Sequence, residues 1–308
     1  MMARRVTQRG AALIMALLVV ALATTLSSAL LWRQDLWLRQ VELQRDLAQT
    51  RLIARAGIEW AKAVLAYDAR ISGFDHAGEA WAVEVPPTSA EGGQISGEMS
   101  DEQGKWNLNN LLSGDGRINA RSLEVFTHLL RSLQLPAALA ASLADWLDTD
   151  SEPSADGAED STYLAASPPY RGANRALSDV DGLLRVRGFD AETVERLRPH
   201  VSALPGYHRV NLNTAGPVVL AAVLSDLSPA ELAQLVAARS AIPFKDLTDL
   251  RSRLPELGST ANLEHVDTRS RYFRARVRAR YERTTVVAEA LLERLGGDWP
   301  STVWQKYE

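Results

Sequence analysis

The chain of 308 residues has no cysteine. That excludes disulfides, thiolate metal sites and cysteine nucleophiles, and leaves stability to burial, helix capping and hard cations. Common catalytic signatures are missing too: there is no G-x-S-x-G, P-loop or zinc motif, and His76, His128, His200, His208 and His265 are scattered without metal-ligand spacing. No catalytic residue is assigned, and the chain is read as a non-enzyme. A net charge of −4 supplies no basic field for nucleic acid, so no nucleic-acid partner is expected, while a 46% hydrophobic composition allows a packed core.

Local absences are as informative. Residues 11–32 carry no charge, no proline and no glycine, which at helical rise is roughly enough to cross a bilayer core. Arg4, Arg5 and Arg9 precede this run with no acidic residue before it, so the N-terminus is placed in the cytoplasm and the rest of the chain outside. Three readings fit: a signal peptide cut beyond Ser27-Ser28-Ala29, an uncleaved anchor, or a leader removed after Gly10 that leaves Ala11 first and keeps the whole apolar helix.

No proline occurs before Pro86, and Gly57 is the one glycine between residues 11 and 72. Leu36, Leu43, Leu47, Ala54, Ile58, Ala61 and Leu65 recur at three-, four- and seven-residue steps, so the helix is predicted to continue to residue 69. Short strands are expected at 80–85 and 94–101 between glycine and proline clusters. The phrase Trp106-Asn107-Leu108-Asn109 returns as Val210-Asn211-Leu212-Asn213, and each is expected to dock a leucine and open helices through asparagine capping. Helices are predicted at 120–133, 136–147, 180–186, 191–203, 215–224, 229–239 and 247–254.

After Asp267 the period becomes two. Arg274, Arg276, Arg278 and Arg280 alternate with Phe273, Ala275, Val277, Ala279 and Tyr281, which predicts a strand with an apolar face and a solvated arginine face. Residues 284–295 are its antiparallel partner, and the tail from Trp299 to Glu308 is expected to pack back on the sheet.

No lysine or arginine lies between Arg131 and Arg171, yet Asp145, Asp148, Asp150, Glu152, Asp156, Glu159 and Asp160 fall within that gap. A solvated acidic loop is one reading. The sharper one is calcium, which prefers several carboxylate and carbonyl oxygens. Counting from Asp148, the carboxylates Asp148, Asp150, Glu152, Asp156 and Glu159 occupy positions 1, 3, 5, 9 and 12 of an EF-hand-like spacing, but Pro153 replaces the turn glycine. A differently wound oxygen-rich loop is therefore expected, and Asp179 and Asp181 are available to complete it or a second site.

The leader, Arg9-Gly10-Ala11 before an uncharged helix, resembles that of type IV pilins and pseudopilins. In that family a glutamate stands five residues into the mature chain, where it neutralises a neighbouring subunit's amine; here the position is Met15. Lack of this glutamate, together with the chain length, resembles the type II secretion system minor pseudopilin K family, whose calcium-binding Gly-Ala-Glu-Asp stretch is similar to Gly157-Ala158-Glu159-Asp160. The resemblance implies an α+β fold: a long N-terminal transmembrane and amphipathic helix packed on a small antiparallel pilin-like sheet, with a large inserted all-α domain. It implies a leader at 1–10, a membrane span at 11–32, a pseudopilin domain at 33–105 and 268–308, and the insert at 106–267. It also implies cleavage between Gly10 and Ala11 by prepilin peptidase with methylation, anchoring in the bacterial inner membrane with a periplasmic domain, and a calcium ion held from among Asp148, Asp150, Glu152, Asp156, Glu159, Asp160 and Asp179. Partners would be minor pseudopilins I and J at the pseudopilus tip, with secreted substrate or secretin beyond them. Within the insert, Asn211-Leu212-Asn213-Thr214-Ala215 and Ile242-Pro243-Phe244-Lys245-Asp246-Leu247 resemble helix-hairpin-helix repeats, with residues 186–189 as a hairpin. That implies the alternative of a membrane-anchored DNA-uptake receptor.

Overall fold

The computed structural model describes residues 8–308; the first seven residues of the expected leader lie outside the described residues. One helix, α1 (Gln8–Ile71), dominates the chain. At 1.5 Å per residue it is about 95 Å long. Residues 11–45 are exposed along its whole circumference, as a span built for lipid and other helices would be. Further along, Ile53, Ala54, Ile58, Ala61 and Leu65 are buried on one face, the face predicted from their spacing. Gly57 sits where α1 presses on the sheet: a Cβ there would come within 2.7 Å of both Ile95 Cδ1 and Val277 Cγ1. The single glycine thus permits close helix–sheet contact. Ser72 and Gly73 follow the last turn.

The chain then forms β1 (Val85–Ala90) and β2 (Gly93–Asp101). The strand expected at 80–85 is instead a 3₁₀ turn at Ala80–Ala82, followed by β1. Trp81 drives this difference: it is buried, stacks edge-on against Phe273 at 5.1 Å, and donates its Nε1 to Glu79 Oε2 at 2.7 Å. Pro86 and Pro87 fit within β1 because it is the outer strand of the sheet, with a bulge between Val85 and Thr88.

Residues after β2 build the insert from β3 (Trp106–Asn107), α2 (Ala120–Ser132), α3 (Ala138–Leu147), α4 (Asp160–Tyr163), α5 (Ala191–Leu197) and β4 (Val201–Ser202), then β5 (Val210–Asn211), α6 (Pro217–Val223), α7 (Pro229–Ala241), α8 (Leu247–Arg253), α9 (Pro255–Thr260) and β6 (Val266–Asp267). It is not all-α. β3 pairs in parallel with β4, and β5 with β6, so the repeated phrase starts two units, each closed by a small bridge at its far end. This explains why the helix predicted to run to residue 203 stops at Leu197: Val201 is needed opposite Trp106. Both phrases bury their leucine, Leu108 and Leu212, completely. Asn119, rather than the phrase itself, caps α2 by accepting from Ser122 N. Among the described residues nothing confirms the helix-hairpin-helix likeness.

The chain returns as β7 (Tyr272–Tyr281), β8 (Thr284–Glu293) and β9 (Ser301–Tyr307). The antiparallel sheet runs β1-β2-β7-β8-β9, with Met99 opposite Ala275 and Ala275 opposite Ala290. Since β2 and β7 are neighbours, everything between them is an insertion, and the tail is a fifth strand. The apolar face of β7 and β8 packs under α1. On the opposite face Arg274 pairs with Glu102 at 2.8 Å and Arg276 with Glu289 at 3.3 Å, while Arg278 and Arg280 are exposed; the row is a solvated face with acidic neighbours.

Insert and sheet are joined by a buried polar knot near the end of α1. Asp101 Oδ2 accepts from Asn211 Nδ2 at 3.0 Å, Thr214 Oγ1 at 2.6 Å and Ser270 Oγ at 2.6 Å. Burial raises the Asp101 carboxyl to about 6. Beside it, the guanidinium of Arg294 pairs with Asp68 at 2.8 Å and with Asp75.

Candidate metal site and assembly helix

The acidic stretch follows α3, whose apolar side chains Leu139, Leu143, Trp146 and Leu147 anchor it in the insert core. Asp145, in the last turn, folds the loop back: Ser154 donates its N–H to Asp145 Oδ2 at 3.0 Å and its hydroxyl to Oδ1 at 2.6 Å. Gly157 lies so close to this carboxylate that a Cβ would fall 1.9 Å from Oδ2. Any other residue there would push the loop off Asp145.

This folding brings together Asp148, Asp150 and Glu159, each offering a carboxylate oxygen within 4.8 Å of the others. Glu159 is 3% exposed, and both its oxygens are buried without a hydrogen-bond partner, as is Asp148 Oδ1. Burial, reinforced by Asp148, Asp145 and Asp150, lifts the Glu159 carboxyl to about 7; burial with Asp150 and Asp145 lifts Asp148 to about 6. One nearby unpartnered oxygen was not foreseen. Asn174 Oδ1 is likewise buried and unpartnered, and Asn174 Nδ2 donates to the Asp150 carbonyl at 2.8 Å. Nothing in the stretch Arg171-Gly172-Ala173-Asn174 advertises it, because the amide is placed by the fold from outside the acidic run.

The other predicted ligands separate from this group. Glu152 and Asp156 are exposed. Asp160 accepts from Gly172 N at 2.9 Å and pairs with Arg171 at 3.2 Å, so it fastens the loop's exit. Asp179 caps the 3₁₀ turn Val180–Arg185 by accepting from Gly182 N at 3.0 Å. Of the positions in the EF-hand-like spacing, Glu152 and Asp156 thus stand apart from the cluster, because α3 ends at Leu147 and the chain after it winds differently.

A donor set made wholly of oxygens, in which both Glu159 oxygens and Asp148 Oδ1 are buried without a partner, Asp150 is exposed and the Glu159 and Asp148 carboxyls are raised, fits a hard divalent cation. An unfilled set of this kind is costly, since each buried acceptor without a partner loses roughly 1–3 kcal/mol.

The processing residues lie at the other end of the molecule. Ala11 and Met15 are on the exposed part of α1, and residues 11–32 offer no carboxylate anywhere along the span. Gly10 lies in the same helix.

Comparison with known proteins covers both units of the insert and most of the chain. Family models described as type II secretion system protein K match residues 104–206 and 210–269, boundaries that coincide closely with the two bridged units. Type II secretion system protein K of Pseudomonas aeruginosa is 37% identical over 279 residues, covering 86% of this chain and 83% of the relative. The Klebsiella pneumoniae protein of the same description is 36% identical, covering 85% and 82%. Among solved structures, the GspK-GspI-GspJ complex of the enterotoxigenic Escherichia coli type 2 secretion system contains a chain similar to this one at a TM-score of 0.77 and 25% identity, covering 87% of this chain and 99% of that one.

Proposed function

This chain belongs to the type II secretion system protein K family and is a minor pseudopilin held by a single apolar N-terminal helix; we propose that it caps the tip of a periplasmic pseudopilus and that its work is assembly rather than catalysis. The observation that carries this reading is the placement of bulk. α1 rises unbroken from the span to the sheet, and the insert joins at the far end of α1, through Asp75, Asp101 and Ser270. A subunit so built can be pushed outward on its helix, while the insert stands where a further subunit would be added above it.

Met15 supports the same place. A lone ammonium among packed apolar helices is costly, and a subunit with no neighbour above it has no such amine to neutralise. Prepilin peptidase would cut between Gly10 and Ala11 in the inner membrane and methylate the new amine. Pseudopilins I and J are the proposed partners, since the solved relative is itself a complex with proteins of those names; secreted substrate or secretin would meet the distal insert.

Within the insert, Asp148, Asp150 and Glu159, with the Asn174 amide oxygen, are proposed to hold calcium. The ion would supply positive charge to three crowded carboxylates and fix the loop between α3 and α4; Asp145 and Asp160 would orient the chain around it.

The DNA-receptor alternative is not favoured. The turn at residues 186–189 buries Val186 and Phe189 and sets Gly188 against Leu139, which turns the presumed hairpin inward. The test is copurification of the full chain in detergent with pseudopilins I and J, alongside DNA retention at physiological salt. Stable capture of both partners without DNA supports the reading. Salt-sensitive DNA retention without partners overturns it.

A further inference from the structure

Where the far end of α1, the insert and the sheet meet, they enclose a cavity of about 640 Å³. Its walls include Gly73 after α1, Arg209 from the link between the two insert units, Arg269 and Arg271 where the chain returns to the sheet, and Gly296 and Gly297 between β8 and β9. Neither the acidic loop nor the bare span contributes to it.

The charge on these walls is only partly used. Four guanidinia, those of Arg209, Arg269, Arg271 and Arg294, stand against the carboxylates of Asp75 and Asp267. Arg294 is spent on Asp68 and Asp75, and Arg271 pairs through one terminal nitrogen with Glu293 at 2.5 Å. Arg271 Nε is buried with no hydrogen-bond partner, so its fork is not filled. Arg209 and Arg269 are exposed, and among the described residues neither forms an ion pair. Arg269 donates its Nε to the Gly73 carbonyl at 2.6 Å, a bond that holds it in the wall without neutralising it. Asp267 accepts from its neighbour Thr268 N–H at 2.7 Å. Burial pushes the His208 imidazole down, so the positive charge here belongs to the arginines.

Size, charge and position select the ligand. A guanidinium fork matches the two oxygens of a carboxylate or of a phosphate. A volume of this order, at a junction between parts of the fold, suits a multi-atom ligand rather than a single small ion. Headgroups of the anchoring membrane are out of reach, because Ala69 on the wall stands about 55 Å along α1 from Trp32 at 1.5 Å per residue. A net charge of −4 repels a polyanion as large as nucleic acid. Gly73, Gly296 and Gly297 put backbone without side chains into the wall, which leaves room for an extended main chain.

We propose that this cavity is a binding site for an acidic peptide segment of a protein partner, whose carboxylates are taken by Arg209, Arg269 and Arg271. Because its walls come from α1, the insert and the sheet together, a bound segment braces the junction made by Asp101 and Arg294. The site adds a ligand to the minor-pseudopilin reading and does not depend on placement at the tip.

The test uses the full chain in detergent at about 0.15 M salt. It is titrated into a fluorescein-labelled peptide of glutamates, with a glutamine peptide of the same length as control, and polarisation is read. The expected result is binding of the glutamate peptide at least tenfold tighter than of the glutamine one, together with a rise in melting temperature. Arg209→Gln alone is expected to weaken binding at least threefold, and Arg209→Gln with Arg269→Gln at least tenfold, both with an unchanged melting temperature of the free chain. Arg278→Gln, on the arginine face of the sheet, should bind as the parent does. Inorganic phosphate and oligothymidylate should displace the peptide poorly. Equal binding of the two peptides, no binding of either, or equal losses from Arg278→Gln and from the Arg209→Gln, Arg269→Gln pair would overturn the proposal. Ready displacement by phosphate or oligothymidylate would overturn it as well, by making the ligand a phosphate. None of these outcomes bears on capture of pseudopilins I and J, so the functional reading stands or falls separately.

Discussion

Asn213 and Phe244 exchange two hydrogen bonds: Asn213 Nδ2 donates to the Phe244 carbonyl at 2.9 Å, and Phe244 N–H donates to Asn213 Oδ1 at 2.9 Å. Asn109 and Leu177 do the same in the first unit, at 2.9 and 2.8 Å. In each case a side-chain amide acts as a stretch of backbone and pins a distant loop to the start of its unit. The repeated asparagine is thus a joint, conserved in geometry between the two units although the loops it holds differ.

Asn213→Ala removes both bonds and leaves a buried N–H and C=O unpaired. A loss of about 2–4 kcal/mol is predicted, measured by denaturant unfolding of the full chain in detergent. Asn213→Asp should not recover the loss: it keeps an acceptor for the Phe244 N–H but sets a carboxylate oxygen against the Phe244 and Asp75 carbonyls to which the amide donates. An Asn213→Ala protein as stable as the parent would mean that the joint is not structural.

Gly57→Ala sets two effects against each other. Alanine gains roughly 1 kcal/mol of helix propensity, but its Cβ meets Val277 Cγ1, a stiff β-branched atom in a buried strand, at 2.7 Å. Overpacking of this kind costs about 1–3 kcal/mol. The melting temperature is predicted to fall, and a rise would show that α1 can lift from the sheet without loss.

Arg294 is buried between Asp68 and Asp75. Replacing it by methionine strands two carboxylates in the core, with a predicted cost of about 3–5 kcal/mol. Asp68 is already raised to about 6, first by burial and then by Glu79. Without the guanidinium both acids should prefer the neutral form still more. The deficit of Arg294→Met should therefore shrink as the pH is lowered from 8 toward 5; a deficit independent of pH contradicts this.

The carboxylate cluster has a definite sign with pH. Glu159 and Asp148 are raised to about 7 and about 6, above their unfolded values, so their contribution to stability is full below about pH 4 and is lost as the pH rises through 6 to 7. In chelator the chain is predicted to be less stable at pH 8 than at pH 5 on account of these groups, and Glu159→Gln should reduce that difference. Calcium at about 100 times its Kd should restore roughly 2.7 kcal/mol at pH 8 and much less at pH 5, where protons compete. Asp148→Ala with Asp150→Ala should remove the calcium response; identical melting curves with calcium and with chelator would leave this a solvated loop.

Much of this was legible in the sequence because the signals are periodic. Uncharged residues 11–32, the inward spacing of Ile58, Ala61 and Leu65, and the alternation from Phe273 to Tyr281 each report a local geometry that packing did not alter. The acidic run was legible as a concentration of carboxylates, and Asp148, Asp150 and Glu159 do come together. What was not legible depended on long-range placement. Asn174 enters from beyond α4, Glu152 and Asp156 turn outward, and Trp81 makes a 3₁₀ turn where its neighbours read as a strand. Pro86 and Pro87 suggested a turn and instead occupy an edge strand, because only the finished sheet shows which strand has no outer neighbour. The parallel bridges needed partners about 95 and 56 residues apart, beyond the reach of local pattern.

The most direct test of the central claim is the mass of the mature N-terminus after expression with and without prepilin peptidase. The account predicts a peptidase-dependent start at Ala11 with a methylated amine, which keeps α1 whole as anchor and assembly helix. An intact leader, or a cut beyond Ala29 that removes the apolar span, would contradict it.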